Sequence, residues 1–365
     1  MVNSLLVAAL CLLAVLLSGA IALVVYVLVR YTPIVGRIFE EKPVFLPLRA
    51  DRDPTGEDMR FGTADGLSLA GTYFRARTPD RLGQIVFCHE FLGDRFSALA
   101  YGDHLRDLGF DIFCFDFRNH GQSDADPRYE PLQWVTDHEV ADLRGALSYV
   151  RSRPDADPAG VGLFGISRGG SAALCVAGSD PAVWAVITDG AFPTRGTLLA
   201  YMHRWAEIYV GLHRVWRRPA FRWGFNKIID IVGSAGLITS QWRRGCRFPS
   251  VERALRRLSP RPWFLIHGAD DTYIGLDIAR GFFAVAKPPK EMWVVGGAKH
   301  SRCREADPEG YATQVAAFLQ HYAPRPPRKS AAEPLFDPEP RRDRAATGAT
   351  LAPAAGAALR ARQTP

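Results

Sequence analysis

Gly165-Ile166-Ser167-Arg168-Gly169 stands directly after the apolar run Val161–Phe164 and directly before a run of helical periodicity, Arg168–Ala177. A serine on a tight strand-to-helix turn exposes its hydroxyl above the edge of a sheet. Its neighbours two positions to either side must then be nearly free of side chain, or they collide with each other and with the strained backbone. The helix that follows points its first N–H groups at the same spot, which favours a developing anion. A simple N-capping serine would explain Ser167 but not both glycines. The stretch predicts a nucleophilic serine on a strand–turn–helix unit.

Around this unit the chain repeats the same alternation. Met59–Ala64 and Leu67–Ala76 predict a hairpin about Asp65-Gly66. Gln84–His89, Asp111–Phe117, Gly160–Ile166, Trp184–Thr188, Pro262–Ile266 and Glu291–Val295 are short apolar runs bounded by turn residues. Such runs suit parallel strands buried on both faces. Phe96–Leu108, Val135–Arg151 and Arg168–Ala177 carry helical periodicity, and a last helix should run to Tyr322 with Asp307 as N-cap and Pro308 at its first position. The fold class is therefore α/β, a mostly parallel central sheet with helices on both faces. Residues 191–261, with a helical pattern of their own, interrupt two strands and predict a cap over the carboxyl ends of the sheet.

A serine hydroxyl attacks only once a base takes its proton. His300, in Gly296-Gly297-Ala298-Lys299-His300-Ser301, follows the last predicted strand. Asp271, in His267-Gly268-Ala269-Asp270-Asp271, follows the strand before it and would orient the imidazole, with Asp270 as the competing acid. Two backbone donors are needed for an oxyanion. Arg168 N–H, next to the serine, is one; Phe91 N–H, in the loop Cys88-His89-Glu90-Phe91-Leu92-Gly93, is the other.

Together these stretches, with Asp116-Phe117-Arg118-Asn119-His120-Gly121-Gln122-Ser123, resemble the α/β-hydrolase superfamily, and most the serine-aminopeptidase and monoacylglycerol-lipase-like branch. The resemblance covers roughly residues 57–322 and is weak across the cap. It implies the order Ser167, Asp271, His300 for a catalytic triad, with Asp116 and Arg118 as scaffold. Two positions depart from it: relatives usually carry Gly where Glu90 and Asn119 stand. A carboxylate at 90 should weaken the oxyanion loop or turn outward to an arginine.

The chain has 365 residues, 47% of them hydrophobic, and a net charge of +7. That charge is concentrated: residues 191–261 hold 14 Lys/Arg against 3 Asp/Glu, and the tail 323–365 holds 8 against 4, leaving an acidic body. This is not the pattern of a nucleic-acid binder, and none is expected as a partner. The six cysteines show no CxxC, which excludes a zinc ribbon or a disulfide scaffold. His89, His120 and His138 lack metal-ligand spacing. Gly160-Val161-Gly162-Leu163-Phe164-Gly165 puts its glycines inside a strand rather than after one, so no dinucleotide, cofactor or metal is expected.

Leu5 to Val29 is uncharged and apolar. At about 1.5 Å per residue it reaches roughly 37 Å, against a bilayer core of about 30 Å. Ser18-Gly19-Ala20 resembles a signal-peptide cleavage site, but the run lacks a preceding basic residue and is too long for a signal core. The expectation is a transmembrane anchor at 1–30, a linker at 31–56, a catalytic domain at 57–322 and a disordered tail at 323–365. Arg30, Arg37 and Lys42 follow the span and place the catalytic domain in the cytoplasm by the positive-inside rule.

Within the cap, Trp205, Trp216, Trp223 and Trp242 interleave with Arg204, Arg214, Arg217, Arg218, Arg222, Arg243 and Arg244. That pairing predicts contact with anionic headgroups, against the plainer reading of a solvated lid packing its tryptophans inside. The expected activity is a serine hydrolase cleaving an ester of a small apolar or lipid-like acyl substrate. Peptide cleavage or acyl transfer by the same residues, and a catalytically weak membrane-tethered binding module, stay open.

Overall fold

The computed structural model describes residues 2–44, 46–209 and 219–324. Eight strands form one sheet: β1 Glu57–Gly62, β2 Ser68–Phe74, β3 Gly83–Cys88, β4 Phe110–Phe115, β5 Val161–Ile166, β6 Val183–Asp189, β7 Trp263–Gly268 and β8 Lys290–Val295, in the order β1-β2-β4-β3-β5-β6-β7-β8. β2 pairs antiparallel with β1 and β4, and all other pairs are parallel. The six predicted apolar runs all become strands, and β3, β4, β5 and β7 are buried at every residue.

Their side chains alternate between two apolar layers. Val86, Phe113, Leu163, Val186 and Leu265 face one; Ile85, Ile112, Phe164, Ile187 and Phe264 face the other. The first is covered by helices α4 Asp137–Ser152, α5 Arg168–Ala177, α8 Val251–Arg256 and α9 Leu276–Val285, the second by α2 Ser97–Gly102, α3 His104–Asp107 and α11 Pro308–Tyr322. The four-residue α10 Cys303–Ala306 precedes α11, whose Asp307 side chain accepts from Gly310 N–H at 2.9 Å. Strand order reverses about β3, so the carboxyl ends of β3 and β5 border the crevice where such sheets bind ligands.

The cap is a pair of helices, α6 Thr194–Tyr209 and α7 Pro219–Arg244. Arg195 meets Ser234 (3.2 Å) and His203 meets Asp230 (3.2 Å), so the two run antiparallel, α6 leaving the sheet and α7 returning. The cap is shorter than expected. Val251 and Leu255 of α8 are buried in the core beside Leu174 and Ala177, because Ser250 caps a helix that packs on α5. Residues 251–261 belong to the body. Of the cap's basic cluster, Arg214, Trp216, Arg217 and Arg218 lie outside the described residues, as does the tail beyond Pro324.

The N-terminus differs from expectation more sharply. Helix α1 runs unbroken from Val2 to Glu40, through Pro33, so the first ten residues of the expected linker are helical. Pro33 removes one helical hydrogen bond, but the last turns are held by tertiary contacts. Phe39 is buried and stacks on Trp134 with centroids 4.6 Å apart, and Trp134 Nε1 donates to the Phe39 carbonyl at 2.8 Å. Glu40 lies 3.3 Å from Arg243 and 3.8 Å from Arg244, while Lys42 pairs with Glu130. Truncating a buried Phe costs about 3–5 kcal/mol. Phe39→Ala is expected to cost the full-length protein about 3 kcal/mol in thermal unfolding; a loss below about 1 kcal/mol would mean that the foot of α1 is not part of the folded unit.

Candidate active site

Ser167 occupies the turn between β5 and α5 with φ +50° and ψ −115°, a left-handed backbone that non-glycine residues rarely adopt. The turn is held in place by neighbours: Ser167 N–H donates to Asp189 O (2.7 Å) and Ser171 N–H to Ser167 O (3.0 Å). Both glycines of the motif are required by space. A Cβ on Gly165 would lie 2.6 Å from Gly170 backbone, and one on Gly169 would lie 2.2 Å from Cys88 O and 2.4 Å from His89 O.

Ser167 Oγ is 2.8 Å from His300 Nε2, and His300 Nδ1 is 2.7 Å from Asp271 Oδ2. Asp271 Oδ1 accepts from Tyr273 N–H (2.9 Å) and Ile274 N–H (2.7 Å), which fixes the buried carboxylate. With Nδ1–H donated to Asp271, Nε2 is left as the acceptor facing the hydroxyl. His267 Nε2 lies 3.6 Å from the same carboxylate but donates to Ile274 O at 2.9 Å; burial holds its pKa below the ordinary value, so it brings no competing charge. Asp270, the competing acid, is exposed. Phe192 and Tyr273 flank the His300 ring, with centroids 6.2 and 5.1 Å away.

Residues 84–230 match the sequence profile of the α/β hydrolase fold. The fold is that of the α/β hydrolases. It is similar to the uncharacterised protein YfhR of Escherichia coli K12, 26% identical over 254 residues that cover 68% of this chain and 75% of the relative. An uncharacterised protein of Mycobacterium tuberculosis H37Rv is 24% identical over 270 residues, 74% of this chain and 81% of its own length. Among solved structures, an esterase of Pyrococcus furiosus superposes with a TM-score of 0.55 at 20% identity, covering 78% of this chain and all of that one.

The loop after β3 is braced by residues whose contacts were not read from the sequence. His89 is buried and held neutral, its pKa lowered to about 3 by burial and by the Arg168 charge. Its Nε2 accepts from Phe117 N–H (3.1 Å), so Nδ1 donates to Glu90 O (2.7 Å), which also receives Gly93 N–H (3.1 Å). A trans peptide sets C=O and N–H on opposite sides, so pinning the Glu90 carbonyl turns Phe91 N–H the other way. The Arg168 guanidinium, wholly buried, lies over the rings of Phe91 (5.3 Å) and Phe117 (5.6 Å) and donates to Leu132 O (3.0 Å). One residue thus offers its amide beside the serine and its side chain beneath the opposite loop. The scaffold reading of Asp116 and Arg118 fits their contacts: Arg118 is buried against Asp142 (2.6 Å), and Asp116 accepts from Arg95 N–H (2.7 Å).

Glu90 does not turn outward to an arginine. Its carboxyl folds inward beneath its own turn, 3.4 Å from the Tyr101 hydroxyl and close to Asp189, and among the described residues no cation pairs with it. Burial, reinforced by Asp189, pushes it up to about 7 from an ordinary 4.5, and burial likewise raises Asp189 to about 7. A carboxyl raised on folding keeps its proton in the native state while the unfolded chain loses it, so its contribution to stability falls as pH rises from about 4.5 to about 7. Glu90→Gln should therefore raise the melting temperature relative to the parent at pH 8, with the gap closing toward pH 5. A gap independent of pH in thermal unfolding would refute this account of the side chain.

Proposed function

We propose that the protein is a serine esterase held at a membrane by helix α1. The observation that carries this is the unbroken relay Ser167–His300–Asp271, at 2.8 and 2.7 Å, on a strained turn that exists only by virtue of two glycines. His300 takes the Ser167 proton as Oγ adds to the ester carbonyl, and the negative charge gathers on the carbonyl oxygen between Phe91 N–H and Arg168 N–H. Collapse breaks the bond to the alcohol, which leaves with the proton from His300, and Ser167 is left acylated. Water, deprotonated by the same imidazole, then releases the acid and restores the hydroxyl.

An ester is favoured by the apolar flank that Phe192 and Tyr273 give to the base, and by the likeness of the fold to an esterase. The membrane assignment is supported by the surface of α1: Leu5, Leu16 and Leu23 are 69%, 61% and 57% exposed, and none of the described residues covers this apolar stretch. Arg30, Arg37 and Lys42 on the body side orient that body toward the cytoplasm. Trp205 and Trp223, both exposed, lie toward the far end of the cap beside Arg204 and Arg222, where aromatic and cationic side chains suit a headgroup layer.

A fluorophosphonate probe should label the full-length protein and fail to label Ser167→Ala; an unlabelled parent overturns the hydrolase assignment. His300→Ala should lower kcat toward p-nitrophenyl esters by about a thousandfold or more, and a loss below about tenfold would show that another group is the base. Faster turnover of aminoacyl anilides than of esters would make the enzyme an amidase.

A further inference from the structure

Between α1, α6 and α7 lies a cavity of about 730 Å³, within the roughly 300–1,000 Å³ of small-molecule sites. Its wall is almost entirely apolar: Val27, Tyr31 and Ile34 of α1, Met202 of α6, and Phe225 and Ile229 of α7. Its floor is Trp134 and Tyr273. Tyr273 is the ring that touches His300, so one aromatic layer separates the floor from the relay.

The direction of the cavity follows from helix pairings. Val35 packs on Gly236, and Glu40 meets Arg243 and Arg244, so α1 and α7 descend in parallel toward the sheet. Val27 and Phe225 are thus at the end away from the sheet, and Ile38, Phe39 and Trp134 at the end beside it. Val27 is also part of the uncharged stretch that ends at Val29. From Val27 to Phe39 the helix covers roughly 18 Å. A shaft of that length joins the end of the membrane stretch to the aromatic layer beside the base.

We infer that this shaft is the acyl-binding site, and that the occupant is a single long acyl chain of a membrane-resident ester, drawn down between α1 and the cap until its carbonyl reaches Ser167. This rests on the esterase reading and adds two things to it, the substrate class and a role for the anchor helix as a wall of the site. Three features select that occupant over others. The lining is apolar except for Gln133, Glu41 and Lys42 at the end beside the sheet, so the outer part holds no charged group to receive a headgroup or a peptide; the cavity is long, and its outer end adjoins the exposed apolar stretch of α1.

The test uses the full-length protein in phosphatidylcholine nanodiscs. Met202→Trp and Ile229→Trp fill the shaft from two helices, and each should lower the ratio of kcat/KM for p-nitrophenyl dodecanoate over p-nitrophenyl butyrate by at least tenfold. Ile238→Trp, on the exposed face of α7, should leave the ratio unchanged, and fluorophosphonate labelling confirms that each variant is folded at the site. Ratios within twofold of the parent in both shaft variants would overturn the inference. Independently of turnover, Ser167→Ala is irradiated with a diazirine-bearing palmitic acid. Adducts within residues 27–38 or 225–232 are expected; adducts confined to residues 5–25, or none, overturn the site. Adducts in the shaft with no hydrolysis by the parent would refute the esterase reading alone.

Discussion

The close approach of Gly169 to the carbonyls of Cys88 and His89 is the contact on which the site depends. It brings the turn after β5 against the end of β3, and no residue with a Cβ could stand there. Ser167 is held at positive φ as a result, at a cost of order 1–3 kcal/mol, offset by the amide bonds to Asp189 and from Ser171. Ser167 and the loop after β3 become neighbours because two backbones touch, so their spacing is as rigid as the sheet beneath them.

Around that contact, polar groups are buried in two distinct ways. The Arg168 guanidinium is surrounded by carbonyl oxygen, aromatic faces and Glu139 Oε1 at 3.4 Å, each of which favours a cation. Glu90 and Asp189 lie on the other side of the loop, where among the described residues no Lys or Arg pairs with them, and burial raises both. The cationic brace is under the oxyanion loop and the proton-holding carboxyls are behind it. A charged Glu90 at the same place would oppose the oxyanion of the proposed reaction.

The α/β class, six parallel-type strands, the hairpin and the three residues of the relay were legible because each leaves a local mark: an apolar run, a pair of glycines, a polar residue just after a strand. Asp270 stood as the competing acid beside Asp271, and the structure turns Asp271 to His300 while Asp270 is exposed. What was not legible depends on partners distant in sequence. Glu90 reads as an ordinary carboxylate until Tyr101 and Asp189 are seen around it. Helix α8 was assigned to the cap because nothing in Val251–Arg256 reveals that α5 is its neighbour. The loop-bracing function of His89 requires knowing that Phe117 N–H faces its ring.

Pro33 shows the same lesson. A proline and mixed charges after an apolar run normally indicate a hinge, and a hinge would let the anchor and the catalytic body move independently. Here the turns beyond Pro33 insert Phe39 between Trp134 and Phe248 and tie Glu40 to the last turn of α7. The anchor and the cap therefore form one packed unit with the body. Any opening of the cap by rotation of α7 must break the Glu40 pairs and expose Phe39, so the low-cost route into the site is along the helices rather than through a swinging lid. That route leads from the apolar end of α1 to the ring beside His300, which is the path the proposed acyl site would use.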